Sequence, residues 1–311
     1  MERLVAVVVR ELSAPHLYLE PFLPVCNFIH PRQTRLGVRA PRPQAVGIVL
    51  ALGCLAQVLY AVVARVAVQE AKLSEISTKV GTEYKVSTIA SSAAKEMNDE
   101  VVVAIKYKGT TVLTKAMSVR AYAEDWLERE STTEKNRDLL KALLDYGAYS
   151  QLVFNYETDN LANSTYTTGQ VPTTEVPAFT ETVEGTVTDI TGYSPSLTLE
   201  STTALNVYFK RGDGASEEDM ATYTFKIDGE EVSAEYYPAW KEYKVTLPGI
   251  WVTDLHKTHV FTVTKGDETY TVTIAPLAYA YNHRADTNEK LANVCKAIYL
   301  YHTAAVAYFG K

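Results

Sequence analysis

At 311 residues, 47% hydrophobic and 22% charged, the chain has a globular composition and room for two ordinary domains, which excludes a wholly disordered protein. The formal charge of −7 is unevenly spread: residues 1–42 carry six Arg against three acids, whereas residues 66–311 carry 23 basic and 34 acidic side chains, a net of −11. An acidic region of that size repels phosphate backbones, so nucleic acid is not an expected partner.

The chain opens on an Arg- and Pro-rich tail, residues 1–44, whose prolines follow no period. Residues 45–64, AVGIVLALGCLAQVLYAVVA, contain Gln57 as their only strongly polar member. At 1.5 Å per residue this run covers about 30 Å, enough to cross a bilayer. Arg32, Arg35, Arg39 and Arg42 precede it, and beyond Arg65 the next basic residue is Lys72. A single transmembrane helix over residues 45–68 is expected, with the N-terminus cytoplasmic and the C-terminal region extracellular. A buried helix of a soluble domain is the alternative; a cleaved signal peptide fits worse, because the apolar run starts only at Ala45. The first 65 residues use seven Arg and no Lys, the remainder five Arg and eighteen Lys. That break points to a different origin for the N-terminal segment, a fusion or a misassigned start.

Beyond the apolar run the sequence is internally duplicated. Glu134 to Phe154, EKNRDLLKALLDYGAYSQLVF, recurs 155 residues later as Glu289 to Phe309, EKLANVCKAIYLYHTAAVAYF. Glu134/Glu289, Lys135/Lys290, Lys141/Lys296, Ala142/Ala297, Tyr146/Tyr301 and Phe154/Phe309 stay in register. Upstream, Glu83-Tyr84-Lys85-Val86 matches Glu242-Tyr243-Lys244-Val245. Two hairpins, turning near Lys108-Gly109 and at Lys265-Gly266, each lead into a helix carrying Ala-Tyr-Ala. Ser118 is placed to cap the first of these helices, and Pro276 to open the second, where a missing N–H costs nothing. Of the three cysteines, Cys26, Cys54 and Cys295, only the last follows Arg65, so that region holds no internal disulfide. Cys295 replaces Leu140 on the apolar face of the repeated helix and reads as a buried, inert thiol.

Residues 159–182, rich in Thr with Pro172 and Pro177, read as a linker. From Gly185 onward, short alternating segments supply, with the hairpin at 259–274, seven or eight strands, enough for a two-layer antiparallel sandwich. The expected fold is therefore α+β: an antiparallel, immunoglobulin-like β-sandwich followed by a helix pair, behind a single transmembrane helix. One copy, residues 183–311, is complete; the other, residues 69–158, lacks the front of its sandwich. Either the gene is a truncated or fused derivative of a longer one, or the first unit borrows strands from the second, since an open sheet edge is an aggregation hazard.

The phrases SVRAYAEDWL, LLKALLDYGAYSQLVFNYETDNLA, SLTLESTTALNVYFK, LPGIWVTDL and APLAYAY resemble repeat modules near the C-termini of large exported surface proteins of Gram-positive anaerobic bacteria. The resemblance covers about residues 70–311. It implies an extracellular accessory role beside carbohydrate-active, leucine-rich or cell-wall-attachment domains, and it transfers no site residues.

Two constellations are candidates for binding. Tyr236, Tyr237, Trp240, Tyr243 and Trp251 fall within 16 residues. Exposed on a sandwich, such rings stack on the C–H faces of sugars, whereas strand alternation buries about half of any such set. Arg211-Gly212-Asp213 offers a receptor one guanidinium and one carboxylate on a loop; it also reads as a polar turn, with Ser216 and Asp219 at capping-box spacing. Asp213, Glu217, Glu218 and Asp219 lack the alternation of a calcium loop, and His256-x-x-His259 lacks a third ligand, so no metal or cofactor is expected. No nucleophile elbow, P-loop or dinucleotide fingerprint occurs. The expected function is a non-catalytic, surface-anchored binding and spacer module outside the cell, its partner a glycan or a host-matrix or surface protein. The alternative is an accessory part or fragment of an exported carbohydrate-active enzyme, whose paired carboxylates need a fold to place them.

Overall fold

A computed structural model describes residues 4–11, 66–72, 77–80, 83–86, 92–107, 110–200 and 202–310. They belong to two compact units, residues 1–90 with 99–117 and residues 91–98 with 118–311. In the first unit, β1 (Leu4–Glu11), β2 (Val66–Lys72), β5 (Val101–Tyr107) and β6 (Thr110–Met117) form an antiparallel sheet in the order β2-β1-β5-β6. β3 (Ser77–Val80) and β4 (Glu83–Val86) make a separate two-stranded ladder. The two central strands, LVAVVVRE and VVVAIKY, are rich in the β-branched residues that suit a pleated sheet, and Val7 stands opposite Ala104. The expected membrane-spanning run, residues 45–64, lies outside the described residues. Among those described, no helix is long and apolar enough to cross a membrane.

The second unit is α+β, with antiparallel sheets packed against each other and helices before and after them. In chain order it contains α1 (Val119–Glu128), α2 (Glu134–Phe154), β7 (Glu181–Thr186), β8 (Gly192–Leu199), β9 (Thr203–Lys210), α3 (Glu217–Met220), β10 (Thr224–Ile227) and β11 (Glu230–Val232). It continues with β12 (Glu235–Tyr237), β13 (Glu242–Ile250), β14 (His259–Lys265), β15 (Glu268–Ile274), α4 (Pro276–His283) and α5 (Glu289–Phe309). One sheet has the order β11-β10-β14-β15-β7 and the other β12-β13-β9-β8.

Alternation sets the core between these sheets. Phe225, Phe261, Val263, Val272 and Ile274 from the first meet Leu205, Val207, Phe209, Tyr243 and Val245 from the second, all buried. Phe209 lies 6.0 Å from Phe225 and 6.2 Å from Tyr270, ring centre to ring centre. β7 closes one edge through Gly185, whose φ of +73° and missing side chain are both required: a Cβ there would lie 2.2 Å from the Thr269 carbonyl oxygen. The Pro248-Gly249 step coincides with a register shift in β13, where a strand tolerates proline.

The duplicated stretch builds the same devices twice. α2 is capped by the Thr133 hydroxyl, which accepts from the Asn136 N–H, and α5 by the Asn288 side chain, which accepts from Lys290 and Leu291. Both helices end in a left-handed residue, Asn155 at φ 50° and Gly310 at φ 68°. The Arg120 N–H donates to the Met97 carbonyl at 2.9 Å, and the Leu277 N–H to the Leu255 carbonyl at 3.0 Å. Where α2 crosses α5, Tyr146 stacks on its own counterpart Tyr301, with centroids 5.6 Å apart and planes 17° apart. The first half of α2 shares a cleft with the last half of α5, so the helices run antiparallel about a local pseudo-twofold axis at this tyrosine pair.

The residues after α2 are tied down by one buried carboxylate. Asp145, with no exposed surface, accepts from Asn163 Nδ2 at 2.7 Å, Thr167 Oγ1 at 2.9 Å, the Thr168 N–H at 2.9 Å and the Thr168 hydroxyl. Gln151 adds a second tie, accepting from the Ala162 N–H at 2.8 Å, while Ala162 and Val171 sink into the helical core. The stretch read from composition as a linker is thus held against the helices over residues 162–171. Replacing Asp145 by Ala strips these donors of their acceptor. An Asp145→Ala variant is expected to lose about 3 kcal/mol of stability in urea denaturation, with amide exchange at Thr168 rising to that of an exposed loop.

Candidate functional site

The five aromatic residues do not share one surface. Tyr243 is buried in the sandwich, and Tyr236 packs on it at 6.0 Å while donating its hydroxyl to the Ala215 carbonyl at 2.8 Å. Trp251 stands alone at the far end of β13, 75% exposed. Tyr237 and Trp240 point to the other side of the β12-β13-β9-β8 sheet, stacked at 5.6 Å with 28° between their planes. The tight connection from β12 to β13 makes this pair, because it brings Trp240 back over Tyr237 before β13 begins.

Tyr237 also rests edge-on against Tyr208, at 6.0 Å and 90°. Tyr208 belongs to the outward set of β9 with Ala204 and Asn206, opposite the inward Leu205, Val207 and Phe209. Asn206 is saturated: it donates to Ser196 at 3.1 Å and Thr198 at 2.9 Å, and accepts from Thr246 at 2.8 Å. Tyr208 is only 2% exposed. Burial pushes its pKa up to about 12, opposed by a side-chain hydrogen bond with Ser196 and aided by the neighbouring Tyr237, Glu242 and Glu235.

Two carboxylates flank this tyrosine. Glu242, opposite Tyr237 on one side and Lys210 on the other, is 8% exposed, and its pKa is raised by burial with Lys210 pulling it back. Glu235 is exposed and accepts from Lys244 Nζ at 3.2 Å. The face therefore carries a stacked aromatic pair over a buried tyrosine, two acids and two ammonium groups of balanced charge. Sequence reading reached Tyr237 and Trp240 but missed Tyr208 and the two glutamates. The alternation in ALNVYFK was the available signal, yet both of its faces hold an apolar or aromatic residue, so it does not say which one turns outward.

Arg211-Gly212-Asp213 lies at one end of the sandwich, where its charges are already engaged. The Arg211 guanidinium, 15% exposed, donates from Nε to Asp219 at 2.8 Å and from Nη1 to the Asp213 carbonyl at 2.9 Å, with Asp189 at 3.8 Å from Nη2. The Asp213 carboxylate, 97% exposed, pairs with Lys241. Lys265 Nζ bridges Asp189 at 2.6 Å and Tyr223 at 3.3 Å, and Tyr243 donates to Asp219. This network fastens α3 and the β7–β8 loop to both sheets. His259 bonds Asp228 at 2.8 Å whereas His256 faces His302 at 5.2 Å, so the two histidines of the H-x-x-H spacing serve different neighbours. Among the described residues no cluster of His, Cys, Asp and Glu is arranged to hold a metal. Cys295 is buried, and its thiol pKa is raised by burial and then by the charge of Asp286.

Burial works to raise the Asp219 pKa, but hydrogen bonds from Tyr243 and Arg211 and the charge of Lys265 outweigh it and hold the value below that of a free aspartate. A hydrogen bond from Lys265, aided by Arg211, depresses Asp189 likewise. Depressed carboxyl pKa values stabilise the fold fully above the unfolded value of about 3.9, and that contribution is lost as the pH falls through the lower folded values. Urea midpoints are therefore expected to fall steeply below about pH 4, and Asp219→Asn is expected to flatten that limb while lowering stability near neutrality. Comparison with protein-family models, with curated proteins and with solved structures finds no match to this chain.

Proposed function

We propose that this protein is a non-catalytic glycan-binding and spacer module of the cell surface. In this reading residues 183–311 are a complete immunoglobulin-like sandwich with its helix pair, residues 69–158 are an incomplete copy, residues 45–64 anchor the chain, and the region beyond faces outward. The observation that carries the binding role is the stacked Tyr237–Trp240 pair on the outward side of the β12-β13-β9-β8 sheet, resting on Tyr208. A pyranose ring has an apolar C–H face and a rim of hydroxyls. The aromatic pair supplies the surface for the first; Glu242, Glu235, Lys210 and Lys244 supply donors and acceptors for the second. Because the acids and the lysines balance, a neutral polysaccharide suits the face better than a charged one.

The test is affinity electrophoresis and titration calorimetry of the protein against soluble xylan, mixed-linkage β-glucan, glucomannan and α-glucan. At least one is expected to bind, and Trp240→Ala to weaken it about tenfold or more, equivalent to about 1.4 kcal/mol. Retention of none of the four polysaccharides would sink the reading. The raised pKa of Glu242 beside the exposed Glu235 favours one second reading, a hydrolase acting on the same glycan. Release of reducing ends by the native protein, abolished in Glu242→Gln, would replace binding by catalysis.

A further inference from the structure

Trp240 belongs to no strand: it sits in the connection Pro238-Ala239-Trp240-Lys241 between β12 and β13. The β12–β13 ladder ends at Tyr237 opposite Glu242, and the β13–β9 ladder at Glu242 opposite Lys210, so sheet pairing does not reach Lys241. Yet the connection has a defined shape. The Trp240 N–H donates to the Tyr237 carbonyl at 3.3 Å, and Lys241 has a φ of 55°, a left-handed conformation that a residue with a long side chain adopts where its surroundings impose it. The Arg-Gly-Asp turn supplies those surroundings. The Lys241 carbonyl accepts from the Arg211 N–H at 3.3 Å and from the Gly212 N–H at 3.1 Å, and its ammonium group pairs with the Asp213 carboxylate. Gly212 is itself left-handed, at φ 72°, a shape that glycine takes without steric cost. The turn is in turn fastened to its neighbours. Arg211 bonds the Asp213 carbonyl and Asp219 of α3, the Ala215 N–H donates to the Gly212 carbonyl at 3.1 Å, and the Tyr236 hydroxyl of β12 donates to the Ala215 carbonyl.

We infer that the Arg211-Gly212-Asp213 turn is a positioning element of the carbohydrate face: through the Lys241 carbonyl it holds the β12–β13 connection in the conformation that lays Trp240 on Tyr237. Its purpose rests on the glycan-binding reading; its geometry does not. A ring already in place when the sugar arrives gives up less conformational freedom on binding, so a turn with no sugar contact of its own raises affinity. The backbone carries this effect and the charges add little. The Asp213 carboxylate is 97% exposed and the Lys241 side chain 51%, so water and salt screen their ion pair. Two N–H donors converging on one carbonyl, between two left-handed residues, leave the chain far less freedom. Side chains that tolerate a positive φ at positions 212 and 241 should therefore preserve the platform, whatever their charge, and β-branched ones should release it.

The test compares Gly212→Val and Lys241→Val with Gly212→Asn and Lys241→Asn, each in the full chain. The three tryptophans, Trp126, Trp240 and Trp251, are labelled as 5-fluorotryptophan, and Trp240→Phe assigns the fluorine resonance of Trp240. In both valine variants that resonance is expected to leave its stacked position and move toward that of the exposed Trp251, and in both asparagine variants to stay. Affinity electrophoresis in gels containing xylan, mixed-linkage β-glucan, glucomannan or α-glucan is expected to show the valine variants weakened by about fivefold or more and the asparagine variants within about twofold of the native protein. Far-UV circular dichroism checks that each variant is folded. A Trp240 resonance unmoved in both valine variants overturns the inference. So does a Lys241→Asn variant that loses as much as Lys241→Val, which would place the hold in the ion pair. If the native protein is retained by none of the four polysaccharides, the glycan reading falls, while the fluorine resonance still decides whether the turn holds Trp240.

Discussion

Tyr146 and Tyr301 occupy the same position in two copies of one sequence, and their rings stack on each other. Stacking of two such rings contributes on the order of 0.5–1.5 kcal/mol beyond burial, but its larger effect is geometric. The same 155-residue register that equates the tyrosines equates Lys141 with Lys296 and Ala142 with Ala297 on either side of the contact. The symmetry ends one residue later. Gly147 lets Met97 come so near that a Cβ would lie 2.5 Å from its sulfur, whereas the counterpart His302 uses Nδ1 to hold the Val252 carbonyl at 2.6 Å. One copy fixes the 3₁₀ turn at Ala94–Glu96 by close packing, the other fixes the 3₁₀ turn at Val252–Asp254 by a hydrogen bond.

The sandwich divides its labour by face and by end. Its interior is a continuous aromatic and branched-chain core, its charged end is locked by Arg211, Asp219 and Lys265, and its outer sheet face carries the stacked Tyr237–Trp240 pair. Beneath that pair Tyr208 is buried, and Asn206, its neighbour on the same strand, is fully hydrogen-bonded.

The helices, their caps and the hairpins were legible because local chemistry decides them. Ser118 accepts from Ala121 as its position implies, and Pro276 opens α4. The α+β class followed from the alternation of short segments. The sugar-stacking cluster was only partly legible, because contiguity along β12 and β13 says nothing about side: Tyr236 and Tyr243 turn in, Tyr237 and Trp240 turn out. The engagement of Arg211 by Asp219 depends on a pairing across eight residues and two elements, and the grip of Asp145 on Thr168 spans 23. Composition made residues 159–182 look like spacer, since threonine and proline are equally at home in loose chain and in a segment whose hydroxyls find a buried carboxylate.

A contact about a twofold axis uses the same surface on both partners and is complete once two have met. Here both partners lie in one chain, so the Tyr146–Tyr301 contact is completed within the molecule, where an isologous dimer would need a second copy to supply it.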